Sequence, residues 1–313
     1  MIFSDEEKER FRRLMRLVEE FCCVRILTYS LMTNHFHILV EVPRRREVSD
    51  EELVEKLKLL YNREFVGSVA DNLKQCREDG EDESAEKLKN RFIYRMFDLS
   101  EFIKTLKQRY TQSYNNRNDR KGTLWEERFK SVMIEGTEHA LSTMAAYVDL
   151  NAVRAGMVED PKDYRYCGYG EAVAGGKRAR EGLGEVMMSL GQAAEWRKAS
   201  RGYRKYLYVS GGEKGIDADG RAIREGFSVE KVEKVLAEGG RLGGVDLLRC
   251  RVRYLSDGVA LGSRDFVDGV FRKYRKSFGE KRKSGARAMR WGDWGGLCTA
   301  RDLRRDVVSV PGQ

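Results

Sequence analysis

Two β-rich runs separated by a short break near the N-terminus restrict the fold of this chain more than any other feature. The first run is VRILTYSLM (24–32), and the second is HFHILVEV (35–42), which Pro43 closes. Only a Thr-Asn break stands between them, so the two runs are predicted to be strands with a tight connection. Before them, apolar residues recur at helical spacing from residue 5 to about 21, which predicts an amphipathic helix.

The next part of the chain alternates between helical and strand-like patterns. Residues about 44–97 are strongly charged and predict a helical insertion with a solvated loop. A second amphipathic helix is expected from Leu99 to Tyr114, then a strand in TLWEERFKSVMIE and a further helix in EHALSTMAAYVDLN. This mixture predicts an α+β fold.

A Gly- and Ala-rich stretch around 168–184 is the best candidate for a domain boundary. We therefore predict a first domain over residues 1–168, a linker over 169–200 and a basic, mainly helical domain over 201–313. The last domain contains two helix-like segments, VDLLRCRVRYL and SRDFVDGVFRKYRKSF. They fit either a helix-turn-helix that reads duplex DNA or a small helical bundle that buries its own apolar residues.

The charge of the chain bears on its partner. Among 313 residues, 59 are Lys or Arg and 50 are Asp or Glu, which gives a formal net charge of +9 and a pI near 9.2. This balance suits a polyanionic partner, although a solvated basic surface without a partner would look the same. Six cysteines without a CxxC pair indicate free thiols, and no apolar run approaches the ~20 residues of a membrane span. We expect a cytoplasmic protein with no membrane partner.

Two of the three histidines stand in His35-Phe36-His37, on the second predicted strand. Because side chains alternate along a strand, both imidazoles should lie on one face, where they can hold a metal ion. The alternative is a structural role for each histidine. The motif is short, so alone it indicates a metal site only weakly.

Tyr147 and Asn151 form the second feature, on the last helix predicted for the first domain. Their i, i+4 spacing predicts that both side chains lie on one helix face, which brings a hydroxyl next to an amide oxygen. If the helix were only structural, Tyr147 would be an interior aromatic with a capped hydroxyl.

Three ordered strings, LTYSLMTNHFHILVEVP, GTLWEERFKSVMIE and AAYVDLNAVRAGMVEDPKDYRY, carry a family resemblance. Together they resemble the REP-associated tyrosine transposases, a group of single-tyrosine HUH transposases named for their His-hydrophobe-His motif. The resemblance covers about residues 1–170, and the later FVDGVF and LRCRVRYLSDGVALG look like the C-terminal extension of longer members. It implies an antiparallel-sheet HUH catalytic domain, ferredoxin- or RRM-like, with helices on the sheet.

The resemblance also implies the chemistry. In such enzymes the paired histidines and a polar residue one turn after the tyrosine bind a divalent cation, here His35, His37 and Asn151 with Mg²⁺ or Mn²⁺. Tyr147 would be the catalytic nucleophile of a tyrosine transposase. It would cleave single-stranded or hairpin DNA at repeated palindromic elements and stay attached as a 5′-phosphotyrosine, which keeps the phosphodiester energy for rejoining.

A basic DNA-binding surface is expected with this chemistry, because Lys and Arg neutralise phosphates while aromatic rings stack on unpaired bases. Cleavage at two DNA ends favours a homodimer. The candidate phosphate contacts, each of which could equally be an ordinary surface charge, are Arg109, Arg117, Arg120, Lys121, Arg128 and Lys130.

Two departures from the family pattern lead to alternatives. Members usually begin with an additional strand upstream of the first helix, whereas this chain starts almost at that helix, and Ala152 stands where relatives commonly have proline. The catalytic sheet is therefore expected to lack a strand, which favours, as the alternative, a catalytically inactive DNA-binding relative. A third hypothesis is a metal-dependent phosphodiesterase that uses water, in which Tyr147 is only structural.

Overall fold

The computed structural model describes residues 3–188, 196–209, 215–216, 222–223, 248, 251–290, 292–301 and 308–309. Helices and short strands are mixed along these residues, which confirms an α+β fold. Within these ranges, none of the helices has the length and hydropathy that a bilayer span requires. The chain divides into two compact units, the first within Met1–Ile26, Thr33–His35 and Val40–Phe129, the second within Leu27–Met32, Phe36–Leu39 and Lys130–Gln313.

The first unit is built on the predicted amphipathic helix, α1 (Asp5–Phe21). Ser4 caps this helix by accepting a hydrogen bond from the backbone N–H of Glu7. Acidic residues in the first turn match the positive end of the helix dipole. One face of the helix buries Phe11 and Met15, so the apolar spacing is confirmed as the core-facing stripe.

The second amphipathic helix, α5 (Leu99–Arg117), is also confirmed, and it packs against α1. The Tyr110 ring contacts Phe11 at a centroid distance of 5.1 Å and Trp125 at 6.2 Å. The Tyr110 hydroxyl donates to Glu7 at 2.6 Å. These aromatic contacts hold α1 and α5 together in the core of the first unit.

The charged stretch over about 44–97 contains three helices, α2 (Asp50–Leu57), α3 (Arg63–Glu78) and α4 (Asp82–Ile93). Arg77 on α3 joins them, since its guanidinium lies 2.9 Å from a carboxylate at the start of α2 and 2.6 Å from one at the start of α4. Opposite charges therefore explain how such a polar segment forms a compact bundle.

The two predicted strands are present as β1 (Arg25–Leu31) and β2 (Phe36–Glu41), which pair in a two-stranded sheet. All β1 residues after the first are buried. Within the second unit, the backbone N–H of Leu31 donates to the carbonyl of Tyr166 at 2.9 Å, and the Tyr164 hydroxyl donates back to the Leu31 carbonyl at 2.5 Å. The end of β1 is therefore held by a loop from much later in the chain.

The helix predicted over EHALSTMAAYVDLN is α6 (Glu138–Asp149), and the short α7 (Asn151–Arg154) begins one residue after it ends. Leu150 separates the two helices, with φ −78° and ψ 2°. Every α6 residue from Ser142 onward is buried, and small residues at Ala145 and Ala146 allow neighbouring elements to approach closely.

A buried carboxylate at the end of α6 connects several elements of the second unit through hydrogen bonds. The side chain of Asp149 accepts hydrogen bonds from Thr28 Oγ1 on β1 at 2.7 Å, from the Tyr169 backbone N–H at 3.1 Å and from the Tyr203 hydroxyl at 2.6 Å. Gly168 lies so close to β1 that an added Cβ would be 2.2 Å from Thr28 Oγ1. The carboxylate therefore fixes α6 relative to one strand and two later helices.

The two later helices are α8 (Gly168–Val173) and α10 (Trp196–Val209), and α9 (Lys177–Met188) lies between them in the sequence. A 3₁₀ turn at Pro161–Asp163 precedes α8. The span 169–200, predicted as a linker, contains α8 and α9 and the start of α10. The contacts of α9 with α6, α8 and α10 make this span part of the second unit.

The strand predicted over TLWEERFKSVMIE is shorter in the structure, where only β3 (Met133–Ile134) is extended and pairs in parallel with Ala260–Leu261. Trp125 explains the difference within the first unit. Its indole N–H donates to the Lys107 carbonyl at 3.2 Å and to Thr111 Oγ1 at 2.9 Å, which ties this segment to α5. A side-chain bond to a helix thus replaces strand pairing.

Short strands accompany the helices among the described C-terminal residues. Two short two-stranded pairs are present, β4 (Gly215–Ile216) with β5 (Ala222–Ile223) and β6 (Arg251–Val252) with β10 (Val308–Ser309). Of the predicted helix VDLLRCRVRYL, only Leu248 and the residues from Arg251 onward are described.

A strand also separates the two described C-terminal helices, α11 (Arg253–Asp257) and α12 (Arg264–Lys273). That strand, β7 (Ala260–Gly262), is fully buried in a four-stranded sheet of order β3-β7-β9-β8, with β8 at Arg287–Ala288 and β9 at Cys298–Thr299. A helix-turn-helix would have only a turn at this place. The helix-turn-helix hypothesis does not fit these residues.

Asp149 gives a prediction about stability. Burial raises its pKa to about 6, against the lowering effect of the hydrogen bonds from Tyr203, Thr28 and the Tyr169 N–H. The pKa of Asp149 in the folded chain lies above the unfolded value of ~3.9, so the folded chain holds this proton more tightly than the unfolded chain. The stability that this gives is fully present below pH ~4 and is lost as the pH rises through about 6. Asp149→Asn keeps the shape without this titration.

Urea unfolding of both proteins from pH 4.5 to 7.5 measures this effect. Relative to the wild-type chain, the free energy of unfolding of Asp149→Asn should rise by about 2 kcal/mol over that range. The difference between the two proteins cancels the titration of the other carboxylates. A difference that does not change with pH would contradict the assignment of Asp149 as a buried acid.

Candidate active site

Tyr147, the predicted nucleophile, lies on the buried part of α6 and is 4% exposed. The His37 ring on β2 meets it edge-on, with a centroid distance of 6.4 Å and an interplanar angle of 73°. Both residues belong to the second unit. The structure thus brings together two predicted site residues from distant parts of the sequence.

His35, the other predicted imidazole ligand, precedes β2 and is exposed. Its Nδ1 lies 2.7 Å from Oδ1 of Asn34, within hydrogen-bond distance. Such a bond orients the imidazole, as neighbours of metal-binding histidines commonly do. His35 belongs to the first unit.

Asn151, the predicted third ligand, is buried in α7, one turn after Tyr147. Its Oδ1 accepts a hydrogen bond from the guanidinium of Arg154 at 3.1 Å. Its Nδ2 is buried and finds no hydrogen-bond partner within the part of the chain that the structure describes. A buried amide donor without an acceptor costs stability, about 1–3 kcal/mol, and is rare in protein interiors.

Arg154 is the residue of this site that the sequence argument missed. Its guanidinium lies over the Tyr147 ring, with Cζ 3.9 Å from the ring centroid. The same group donates to the carbonyl of Tyr147 at 2.7 Å and to that of Leu248 at 2.7 Å. A buried Arg stacked on an aromatic ring restricts the ring in position and orientation. The sequence feature that could have indicated this role is a single cationic residue seven positions after Tyr147, within a mostly apolar helical stretch.

The donor set decides whether a divalent cation fits here. Two imidazoles and an amide oxygen suit Mn²⁺ or Mg²⁺ chemically. In this arrangement, however, the Asn151 oxygen faces a guanidinium, whose positive charge would repel a divalent ion by several kcal/mol at an effective dielectric constant of ~20. Asn151 therefore does not fit as a cation ligand while its oxygen accepts the hydrogen bond from Arg154. Among the described residues, no group of three or more His, Cys, Asp or Glu side chains could hold a metal ion.

The six candidate phosphate contacts have different environments. Within the first unit, Arg109 donates to the Leu60 carbonyl at 2.7 Å and Arg117 pairs with Glu7 at 2.8 Å. In the second unit, Lys130 lies 3.9 Å from Asp257. The remaining three are exposed on the segment after α5, and they are Arg120, Lys121 and Arg128. DNA contact by any of the six stays a prediction.

Comparison with known proteins adds one match. Residues 1–80 match the family described as Transposase IS200 like, which supports a DNA-processing transposase family for this part of the chain. No curated protein and no solved structure matches the chain. The matched stretch includes His35 and His37 and ends before Tyr147 and Asn151. The REP-associated subtype and the C-terminal extension stay predictions.

Arg154 gives the second prediction. Arg154→Ala leaves three buried oxygen acceptors without their donor, so the free energy of unfolding should fall by about 3–5 kcal/mol. Arg128→Ala removes the same type of side chain from an exposed position and should change it by less than about 0.5 kcal/mol. Chemical denaturation of both variants measures the effect. Equal stability of the two variants would show that Arg154 does not hold the site.

Proposed function

We propose that this chain is a single-tyrosine DNA transposase that cleaves and rejoins single-stranded DNA at repeated palindromic elements. The proposal includes an HUH-type arrangement in which the His-Phe-His strand and the tyrosine helix face each other. The observation that supports it most is the edge contact between the His37 and Tyr147 rings, at 6.4 Å between centroids. The match of residues 1–80 to a transposase family is independent support.

In the proposed reaction, the Tyr147 hydroxyl oxygen attacks a DNA phosphorus. A P–O bond forms to the tyrosine, the bond from phosphorus to the 3′-oxygen breaks, and the phenol proton is lost while the departing oxygen gains one. The product is a 5′-phosphotyrosine and a free 3′-hydroxyl, and attack by a 3′-hydroxyl reverses the step. Arg154 would hold the Tyr147 ring during both steps, because it stacks on its face at 3.9 Å.

The burial of Tyr147 means that the site must open before DNA can bind at the phenol. A side chain that is 4% exposed cannot meet a phosphate without local opening. The hydrogen bond from Arg154 to Asn151 is the contact that such an opening would release. No step of the proposed reaction is assigned to a cation, because Asn151 does not fit one in this arrangement.

A second candidate function is a DNA-binding relative without catalysis. The specific observation that favours it is the same burial, together with the occupation of the Asn151 oxygen by Arg154. This candidate predicts DNA binding with no covalent product. The third hypothesis, a phosphodiesterase that uses water, predicts cleavage without a covalent product.

A suicide-substrate assay separates these functions. Labelled single-stranded hairpin DNA is incubated with the full chain and Mn²⁺, and covalent adducts are sought on a denaturing gel. The wild-type chain should form an adduct and Tyr147→Phe should form none, since that change removes only the attacking oxygen. Tyr206→Phe is the matched control, because it also removes one hydroxyl, the one bonded to Thr143, and should retain the adduct.

The outcomes of this assay differ for each hypothesis. Cleavage by Tyr147→Phe would favour attack by water. Binding without cleavage by the wild-type chain would favour the inactive relative and would refute the transposase proposal.

The cation expectation is tested without DNA. We propose that Mn²⁺ or Mg²⁺ binds at His35 and His37, so Mn²⁺ should raise the melting temperature of the wild-type chain but not of His37→Ala. His139→Ala is the control, since it removes the third histidine, whose Nε2 lies 2.9 Å from the Trp294 carbonyl. Its Mn²⁺-induced shift should match that of the wild-type chain. The absence of a shift in the wild-type chain would exclude this cation site.

A further inference from the structure

A small polar cavity lies in the first unit, where the insertion meets α5. Its volume is about 230 Å³. That is below the roughly 300–1,000 Å³ of pockets for drug-sized ligands, so it suits a single small planar or charged group. We call it the Arg-Tyr pocket, and its lining includes Tyr61, Tyr94, Arg95, Lys104, Gln108 and Arg109.

Aromatic rings give this pocket surfaces on which a planar group can stack. Tyr94 is 48% exposed. Tyr61 stacks on Phe65 with a centroid distance of 4.9 Å and an interplanar angle of 24°. Phe65 is itself exposed. Exposed rings of this kind bind nucleobases through their π-faces.

Cations surround the same rings. The Arg95 guanidinium lies 5.8 Å from the Tyr94 centroid and 5.9 Å from the Tyr61 centroid, and it donates to the Tyr61 hydroxyl at 2.9 Å. Arg109 lies 4.7 Å from the Tyr61 centroid. Lys104 reaches the solvent beside one carboxylate, Glu101, at 3.1 Å. Three cations against one carboxylate favour an anionic ligand.

Arg95 carries the second, independent observation. Its Nε is buried and has no hydrogen-bond partner in the described part of the chain. A buried guanidinium donor without an acceptor is costly. The pocket therefore combines a stacking surface, excess positive charge and a donor that lacks an acceptor.

We propose that the Arg-Tyr pocket binds one nucleotide of single-stranded DNA, with the base on Tyr94 and the phosphate on Lys104. The choice of DNA rests on the proposed function. Single-stranded DNA is favoured over duplex because a base must leave its stack to enter a cavity of this size. The pocket is lined by residues of the first unit, whereas Tyr147 belongs to the second.

Binding of a fluorescent single-stranded oligonucleotide to the full chain tests this inference. The chain carries Tyr147→Phe so that no cleavage occurs, and affinity is followed by anisotropy at several salt concentrations. Tyr94→Ala should weaken binding roughly ten-fold, as expected for loss of one stacked base. Lys104→Ala should weaken binding and reduce the slope of log K against log salt by about 0.7, as expected for one lost phosphate contact.

Two control variants keep this test specific. Lys87→Ala removes a lysine that, like Lys104, is exposed and paired with a glutamate of its own helix. Tyr274→Ala removes another exposed tyrosine, 41% exposed, from the second unit. Both should bind the oligonucleotide like the parent chain. If the pocket variants bind as well as the controls, the pocket proposal is wrong.

The outcomes separate this inference from the proposed function. If the wild-type chain forms the covalent adduct while the pocket variants retain full affinity, only the pocket proposal fails. If the wild-type chain neither binds the oligonucleotide nor forms an adduct, both proposals fail. If the pocket variants lose affinity for an RNA of the same sequence but not for the DNA, the occupant is RNA and the DNA proposal is overturned.

Discussion

Burial of the Asp149 carboxylate is the constraint on which the second unit depends. A carboxylate removed from water must be hydrogen-bonded, and here its three donors come from β1, from the start of α8 and from Tyr203 on α10. Because the carboxylate stands at the end of α6, satisfying it fixes that helix against β1. Tyr147 on the same helix is thereby placed at the edge of the His37 ring.

The same packing makes the candidate site closed. The Arg154 guanidinium covers the Tyr147 ring and donates hydrogen bonds to the Asn151 side-chain oxygen and to the Leu248 carbonyl. A single guanidinium therefore links the tyrosine helix with Leu248, which lies 94 positions after Arg154 in the sequence. The Tyr147 ring is therefore fixed in position and buried, so under the proposed function a conformational change must open the site before DNA can reach the phenol.

Several features were predictable because they depend on local pattern. The apolar stripe of α1, the two strands around the Thr-Asn break and the charged helices after them all follow from spacing and composition. The contact between His37 and Tyr147 was expected only through the family resemblance. Periodicity gives the face of an element and does not give its neighbour in space.

Other features depended on long-range contacts that one sequence does not reveal. Trp125 bonds to α5 and shortens the predicted strand that follows it. The buried strand β7 separates two C-terminal helices at a place where no strand was predicted, since a short apolar run suits a strand or a helix equally. The position of Arg154 over the Tyr147 ring likewise depends on the tertiary fold.

The most direct test is to identify which residue carries the DNA after reaction with a suicide substrate. Trypsin cleavage after Lys130 and Arg154 releases a peptide in which Tyr147 is the single tyrosine, among the 14 tyrosines of the chain. Mass spectrometry should find the nucleotide on this peptide. A nucleotide found on a peptide containing any other tyrosine would contradict the account.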